Sequence, residues 1–258
     1  MKPLKVALLQ LDTKWSDPTS NLNKVEDYIK LMDSSIDLVI LPEMFASGFD
    51  PLDMSEAQSC DGQIIETISR LALDSDKAII GSFLCKEEGN YYNRGFFISP
   101  SEKIFYDKRH LFRMGEEGKH ISAGGKILTV QYKSWRIRLS ICYDLRFPVW
   151  LRNKENDYDL LVCVASWPKV RQEVWETLLK ARALENSAYV IGVNRIGFDH
   201  NKVEHIGGSQ VIDMKGKTIL RAADSEENIV VTTIEKEPLD NFREKFPTYM
   251  DADDFMIL

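Results

Sequence analysis

The sequence predicts a layered α/β fold with mixed sheets. Short apolar runs typical of buried strands alternate with longer segments of helical spacing, a pattern expected of helices packed on sheets. Turn residues between some of these runs indicate hairpins, and hence antiparallel as well as parallel strands. With 258 residues, of which 44% are hydrophobic, the chain can build a sizeable core. We expect one domain over residues 1–258, with residues 235–258 as a C-terminal extension.

Strand and helix patterns alternate through the first half of the chain. Asp17-Pro18 marks a helix start, because Asp is a favoured N-cap and Pro is favoured at the first helical position. The apolar residues that continue this helix are Leu22, Val25, Ile29 and Met32. A second helix is predicted for residues 64–73. Strands are predicted for residues 4–11, 37–42, 77–84 and 91–98, the last two joined by a turn at residues 88–90.

The second half of the chain continues the alternation. Strands are predicted for residues 136–141, 159–164, 188–193, 208–213, 217–220 and 229–233. Residues 170–186 have helical spacing through Val174, Leu178 and Ala181. From residue 235 onward the chain is charged and then apolar, and its aromatic side chains need burial. We therefore expect this extension to pack at a subunit interface.

Composition argues against several classes of protein. The formal net charge of −7 gives no basic footprint for nucleic acid. No stretch reaches the ~18 apolar residues of a membrane helix, and the N-terminus lacks the pattern of a signal peptide. The four cysteines form no CxxC pair, which favours reduced thiols in a cytoplasmic protein.

Three polar residues each follow an apolar run, where ligands bind in open α/β sheets. Glu43 comes after such a run, and the loss of solvation there would raise its pKa and suit it to general-base work. A turn glutamate is the alternative. Lys108 follows Ile104-Phe105-Tyr106 and could stabilise a developing oxyanion as a fixed cation. A solvated surface lysine is the alternative there.

The third residue is Cys142, which follows an apolar strand and precedes an expected helix. A strand-to-helix elbow exposes a nucleophile, and a helix N-terminus favours the thiolate. The alternative is a small buried hydrophobic residue, a description that fits Cys60, Cys85 and Cys163 better. A papain-like partner could come from any of the four histidines, but none lies in a characteristic setting. A glutamate base with a lysine cation is the remaining arrangement, and it needs neither a metal nor a cofactor.

The segments LPEMF around Glu43, DKRHLF around Lys108 and CYDLRFP around Cys142, in that order, resemble the nitrilase or carbon–nitrogen hydrolase superfamily. The resemblance extends from about Val6 to about Asp213. It implies a Glu–Lys–Cys triad and a four-layer α-β-β-α sandwich. It also implies assembly into homodimers or larger homo-oligomers.

Within this superfamily, CYDLRFP and residues 113–117 are similar to bacterial omega-amidases. The resemblance implies hydrolysis of a small amide such as 2-oxoglutaramate or 2-oxosuccinamate, with release of ammonia from a cysteine thioester. It also implies a second catalytic glutamate, Glu117 or alternatively Glu116. The Tyr143 backbone N–H would assist Lys108 at the oxyanion, and Trp167 lies in a segment that forms pocket wall. Candidate cations for the substrate carboxylate are Arg146, Lys169, Arg171 and Arg195.

Several alternative functions remain open at this point. Within the superfamily the chain could be a nitrilase, a carbamoylase or a deaminated-glutathione amidase. A non-catalytic binding protein on the same fold is disfavoured by the presence of all three triad residues. A nucleotide-binding α/β protein is disfavoured because no GxGxxG or GxxxxGK[ST] motif follows the first predicted strand.

Overall fold

The computed structural model describes residues 2–257, so Met1 and Leu258, the ends of the predicted domain, lie outside the described residues. The strands of the first half are β1 Leu4–Gln10, β2 Leu38–Ile40, β3 Ala78–Glu87, β4 Asn90–Ile98, β5 Lys103–Asp107, β6 Thr129–Tyr132 and β7 Trp135–Ile141. Those of the second half are β8 Leu160–Ala165, β9 Tyr189–Asn194, β10 Ile196–Phe198, β11 Glu204–Ile206, β12 Gln210–Ile212, β13 Thr218–Arg221 and β14 Asn228–Ile234. The helices are α1 Pro18–Leu31, α2 Gln63–Ser75, α3 Gln172–Asn186 and α4 Lys236–Lys245.

The strands form two six-stranded mixed sheets and a small ribbon of β10 and β11. The first sheet has the order β14-β1-β2-β3-β4-β5, and its three central neighbours β1, β2 and β3 run parallel. The second sheet has the order β13-β12-β9-β8-β7-β6, and β7, β8 and β9 run parallel. The remaining pairs in both sheets are antiparallel, including the β3–β4 hairpin. The prediction of mixed sheets is confirmed.

Apolar side chains on both faces of each sheet produce four layers. Leu8 and Ile40 of the first sheet share one buried cluster with Ile137 and Val162 of the second. The alternate residues of the first sheet pack instead against α1 and α2, as Val39 shows. On the second sheet, α3 covers β9 with Trp175 and Leu179, which would collide with a side chain at Gly192. The α-β-β-α sandwich implied by the resemblance is confirmed.

The predicted helix start at Asp17-Pro18 is also confirmed. The Asp17 carboxylate accepts a hydrogen bond from the Ser20 backbone N–H at 3.0 Å, which satisfies one of the free donors of the first turn. The buried face of α1 carries Leu22, Val25 and Ile29. Within residues 2–257, none of the helices has the length and apolar character to cross a membrane.

The C-terminal extension begins by packing on its own chain. Helix α4 buries Leu239, and its Lys236 and Arg243 both contact the fully buried carboxylate of Asp159. Beyond α4, Phe246 is largely exposed, as are the apolar side chains Met250 and Met256. Residues 236–245 are therefore part of the domain, and an interface role for the extension stays a prediction.

Candidate active site

Glu43, Lys108 and Cys142 lie together in the wall of a cavity of about 570 Å³. Glu43 follows β2, Lys108 directly follows β5, and Cys142 directly follows β7. The cavity therefore draws on both sheets. In the described part of the chain, no group of three or more His, Cys, Asp or Glu side chains is arranged to hold a metal ion.

Lys108 lies between two carboxylates. Its Nζ donates to Oε1 of Glu43 at 3.0 Å and to both carboxylate oxygens of Glu117 at 3.0 Å. All three side chains are at most 1% exposed. Burial lowers the pKa of Lys108, but the charges of Glu117 and Glu43 outweigh it and place the pKa well above its usual value. Lys108 therefore remains an ammonium ion at neutral pH.

The Glu43 carboxylate is held at both oxygens. Its Oε1 also accepts a hydrogen bond from Nδ2 of Asn93 at 2.7 Å. Its Oε2 accepts from the backbone N–H of Ser166 at 2.8 Å. Because Ser166 follows β8 and Asn93 lies on β4, the two sheets together fix this carboxylate.

The two neighbouring glutamates have different environments. Glu117 is buried, and its Oε2 accepts from the Phe112 backbone N–H at 2.6 Å as well as from Lys108. Burial raises the pKa of Glu117; Lys108 opposes the rise and Glu43 adds to it. Glu116 is exposed and pairs with Lys119 at 2.6 Å. The structure thus brings Glu117 beside Lys108 and leaves Glu116 outside, while the catalytic role of Glu117 stays a prediction.

The predicted helix after Cys142 is absent, and a single 3₁₀ turn, Cys142–Arg146, takes its place. Cys142 has a φ of +46°, a left-handed conformation that is uncommon for a residue other than glycine and that makes the turn after β7 sharp. Phe147 precedes Pro148, and a residue before proline is disfavoured in the α region. The prediction of a helix N-terminus behind the thiol is therefore wrong, although the sharp elbow itself is present.

The thiol of Cys142 is surrounded by groups that favour its neutral form. Burial raises its pKa, and the charge of Glu43 raises it further against the opposing effect of Lys108, to well above the usual value. The Sγ atom lies 4.0 Å from the carbonyl oxygen of Ser166. In the free site this residue is a thiol, so its use as a nucleophile requires a base.

Asp144 anchors the turn that carries Cys142. Its buried carboxylate accepts from the Tyr106 hydroxyl at 2.6 Å, the His110 backbone N–H at 2.9 Å and the Ile141 backbone N–H at 3.1 Å. These donors lie on β5, on the segment after Lys108 and at the end of β7. Asp144 therefore connects the turn of Cys142 to the strand that presents Lys108.

Tyr143, Arg146 and Trp167, the residues predicted to bind substrate, all line the cavity. The Arg146 guanidinium lies 5.1 Å from the centre of the Trp167 ring. Trp167 is buried and donates from Nε1 to the Arg171 carbonyl oxygen at 2.8 Å. The Tyr143 ring meets Phe112 edge-on, with 5.3 Å between ring centres. The wall is thus aromatic with a cation on its surface.

The other candidate cations are distributed unevenly. Arg171 lines the cavity, with its guanidinium 5.3 Å from the Phe112 ring centre. Lys169 pairs with Glu204 at 2.9 Å. Arg195 is buried and donates to carbonyl oxygens at 3.0 to 3.2 Å. Neither Lys169 nor Arg195 is among the described residues that line the cavity, whereas Lys202, which the sequence did not single out, is.

Sequence analysis gave no role to Asn93, included Ser166 only in the pocket-wall segment of Trp167, and left His205 as one of four histidines that could be a papain-like partner. His205 lies 3.2 Å from the Ser166 hydroxyl through Nε2, and its Nδ1 lies 3.0 Å from the Val203 carbonyl oxygen. Burial lowers the pKa of His205 to about 4, with help from Arg195, so the ring is neutral. The position of Asn93, a polar residue within the predicted strand 91–98, could have indicated a functional role for it. No sequence pattern marked His205.

The chain resembles proteins whose family is known. Residues 5–244 match the carbon–nitrogen hydrolase family. The omega-amidase YafV of Escherichia coli K12 is 39% identical, with all of both chains covered. A 2-oxoglutaramate amidase of Bacillus subtilis is 30% identical over 95% of this chain and 96% of that protein.

A solved structure agrees with these relatives. The crystal structure of a CN-hydrolase superfamily protein from Xanthomonas campestris, with an arsenic adduct in its active site, superposes with a TM-score of 0.97. It is 39% identical and both chains are fully covered. The fold, the match along residues 5–244 and the full-length relatives have one explanation: this chain belongs to the carbon–nitrogen hydrolase family.

Proposed function

We propose that this protein is an omega-amidase that hydrolyses small amides such as 2-oxoglutaramate or 2-oxosuccinamate and releases ammonia. The observation that carries the proposal is the buried Lys108 ammonium between Glu43 and Glu117, in the same site as Cys142. The relatives named omega-amidase and 2-oxoglutaramate amidase support the substrate class.

In the first half of the reaction, Glu43 takes the proton of Cys142 as the thiolate attacks the amide carbonyl carbon. This step is needed because the raised pKa of Cys142 keeps it protonated. The negative charge moves to the carbonyl oxygen, where the Lys108 ammonium and the Tyr143 backbone N–H stabilise it. The carbon–nitrogen bond then breaks, Glu43 returns the proton to the nitrogen, and ammonia leaves a thioester on Cys142.

In the second half, water replaces ammonia. Glu43 takes a proton from the water molecule as its oxygen attacks the thioester carbon. The carbon–sulfur bond then breaks, Glu43 returns the proton to the Cys142 sulfur, and the acid leaves. Glu117 supports this step by holding Lys108 in place through two contacts at 3.0 Å. The net change is one amide and one water molecule converted to one carboxylic acid and ammonia.

The distal carboxylate of the substrate requires a cation in the cavity wall. Arg146 meets the requirement, because it belongs to the same short turn as Cys142 and its guanidinium lies over Trp167. The aromatic ring fixes the position of the guanidinium while leaving its N–H groups free to pair with a carboxylate. Arg171 is the second cation of this wall.

The wider setting is part of the same proposal. We place the enzyme in the cytoplasm on the ground of its four free cysteines. We also propose that it forms a homodimer or a larger homo-oligomer through the extension that follows α4, where Phe246 and Met250 are exposed.

Ammonia release from 2-oxoglutaramate by wild type and by Cys142→Ala tests the function. We expect release by wild type and none by the variant. If wild type releases no ammonia from this substrate while a simpler amide still acylates Cys142, the omega-amidase assignment is wrong and the hydrolase mechanism stands. If Cys142→Ala keeps full activity, the mechanism is wrong.

A further inference from the structure

A second pair of thiols lies away from the cavity. The sulfur atoms of Cys60 and Cys85 are 3.8 Å apart, and neither residue lines the cavity that Cys142 shares. Cys60 is partly exposed, in the turn just before α2, and Cys85 is buried on β3. The proposed amide hydrolysis uses neither of them.

A buried arginine contacts the exposed member of this pair. Nη1 of Arg94 lies 3.2 Å from the sulfur of Cys60, while the same guanidinium pairs with Asp107 at 2.7 Å and with Glu87 at 2.9 Å. Arg94 and Asp107 are directly opposite each other on β4 and β5. The cation is therefore fixed beside the thiol by two carboxylates.

The surroundings of Cys60 favour its thiolate. The hydrogen bond with Cys85 lowers the pKa of Cys60, burial opposes this, and the contact with Arg94 lowers it again, to about 6. The pKa of Cys85 is raised, first by its bond to Cys60 and then by burial. Of the two residues, partly exposed Cys60 is therefore the one whose contacts favour the thiolate, and buried Cys85 is the one whose surroundings favour the thiol.

The backbone already aligns the two residues. Gln58 forms a bridge with Cys85: its N–H donates to the Leu84 carbonyl oxygen at 3.1 Å, and its own carbonyl oxygen accepts from Lys86 at 2.9 Å. Two residues later the chain turns at Cys60. The sulfur atoms need to close from 3.8 Å to about 2 Å to form a disulfide.

From this geometry we propose that Cys60 and Cys85 form a redox-active thiol pair, which closes to a reversible disulfide on reaction with a hydroperoxide. Cys60 is the attacking residue, Cys85 is the resolving residue, and Arg94 stabilises the attacking thiolate. The proposal is independent of the amidase assignment, because it uses none of the residues of the cavity.

The reaction has two balanced steps. The Cys60 thiolate attacks the hydroperoxide, a sulfur–oxygen bond forms as the oxygen–oxygen bond breaks, and the leaving oxyanion takes a proton from water. Sulfur is oxidised to a sulfenic acid and the hydroperoxide is reduced. The Cys85 sulfur then attacks the Cys60 sulfur, and hydroxide leaves with the Cys85 proton as water. An added dithiol reduces the Cys60–Cys85 disulfide back to two thiols by thiol–disulfide exchange.

Peptide mapping of the oxidised full chain tests the proposal. Reduced wild-type protein is treated with hydrogen peroxide at pH 7, its remaining thiols are blocked with N-ethylmaleimide, and its peptides are identified by mass. We expect a linked peptide that joins Cys60 to Cys85 and that disappears after dithiothreitol. Recovery of both residues as free thiols, while Cys142 has been oxidised, would overturn the proposal.

Two variants test whether the disulfide forms by the proposed steps or by unspecific oxidation of the thiols. In Cys85→Ser, which removes the resolving sulfur but keeps a hydrogen-bond donor beside Cys60, the linked peptide must be absent, and Cys60 must accumulate as a sulfenic acid that dimedone traps. In Cys163→Ala, which removes a buried cysteine elsewhere, the Cys60–Cys85 link must form as in wild type. Failure of dimedone to label Cys60 in folded Cys85→Ser would also contradict the proposal.

Discussion

Lys108 has a carboxylate on each side, and the two carboxylates are proposed to do different work. Glu43 also accepts hydrogen bonds from Asn93 at 2.7 Å and from the Ser166 backbone N–H, whereas Glu117 also accepts one from the Phe112 backbone N–H and a longer one, of 3.4 Å, from Asn93. Glu43 thus belongs to the contacts between the two sheets, and Glu117 to the loop after β5. The difference gives each glutamate its own testable consequence.

We predict that Glu117→Gln lowers kcat for amide hydrolysis by about 10²–10³-fold, because Lys108 loses a charged partner and its position beside the oxyanion. Glu116→Gln is the matched control, since this exposed neighbour contacts only Lys119 among the ion pairs of the described chain. Steady-state ammonia release gives both values. Equal losses in the two variants would remove Glu117 from the proposed mechanism.

The variant Glu43→Gln tests two roles of Glu43, its action as the base and the effect of its charge on the pKa of Cys142. We predict a loss of amidase activity of about 10²–10⁴-fold, because no base remains for the thiol. The Cys142 pKa should fall at the same time, since the charge of Glu43 now raises it. Alkylation of Cys142 by iodoacetamide, followed by peptide mass at a series of pH values, should show its midpoint moving to lower pH.

The measurement must follow the peptide of Cys142 separately, because Cys60, with a pKa of about 6, is also alkylated near neutral pH. A midpoint for Cys142 that stays in place or moves to higher pH in Glu43→Gln would contradict the effect assigned to the charge of Glu43. Activity retained by the variant would contradict the role of Glu43 as base.

At the residue scale, the candidate catalytic residues were predictable from the sequence, but the residues that contact them were not. Glu43, Lys108 and Cys142 each follow an apolar strand, which made them visible in one dimension. The contacts of Glu43 with Asn93 and Ser166 span 50 and 123 positions of the chain, and no local pattern encodes such pairs. The description of a small buried hydrophobic residue fits Cys60 only in part, because Cys60 packs against the core but is partly exposed and contacts Arg94 of a distant strand.

At the element scale, buried strands were predictable because both of their faces are apolar. Strands β1, β8 and β9 lie within one residue of their predicted bounds at each end. Strand β6 and the ribbon strands were missed because they have only three or four residues, too few to show an alternation of apolar and polar side chains. Helix α4 was missed because two of its three buried residues, Lys236 and Arg243, are charged, so apolar periodicity does not mark it.

One buried carboxylate, that of Asp159, pairs with two residues of α4, Lys236 and Arg243. Burial raises the pKa of Asp159, but hydrogen bonds from Arg136 and Lys236 outweigh it and bring the pKa to about 2. The folded pKa is thus below the usual value, so the stabilisation is present at neutral pH. It is lost as the pH falls through about 4 towards 2.

We predict that Asp159→Asn lowers the free energy of unfolding at pH 7 by about 2–3 kcal/mol, from the size of this pKa shift. The difference from wild type should narrow below about pH 4. Urea unfolding at several pH values measures it, with Glu244→Gln, exposed on the same helix, as the control. A difference that is constant from pH 7 to pH 3 would show that α4 docks by packing instead.

At the scale of the whole molecule, the site exists only when the two sheets are packed together. Glu43 and Lys108 extend from the first sheet, while Cys142 and the Ser166 backbone extend from the second. Sequence periodicity predicted each layer, and the resemblance supplied their order. The register between the layers follows from side-chain packing across the interior, which is why the partner contacts were not predictable.

The last prediction concerns assembly, and it follows from the apolar surface left at the end of the chain. Phe246 is 57% exposed and Met250 is 71% exposed, both just after α4. If a second copy covered them, each Å² of apolar surface buried would stabilise the assembly by roughly 25 cal/mol. We predict a dimer or larger oligomer by light scattering at micromolar concentration, and a shift towards monomer in Phe246→Asp and Met250→Asp.

Leu31→Asp provides the matched control for that shift, because Leu31 is 84% exposed but lies on α1, which packs on the first sheet. If the extension forms the interface, this charge leaves the oligomer intact while the two charges after α4 dissociate it. A monomeric wild type would contradict the proposed assembly. An oligomer that survives both substitutions after α4 but dissociates in Leu31→Asp would place the interface on α1 instead of the extension.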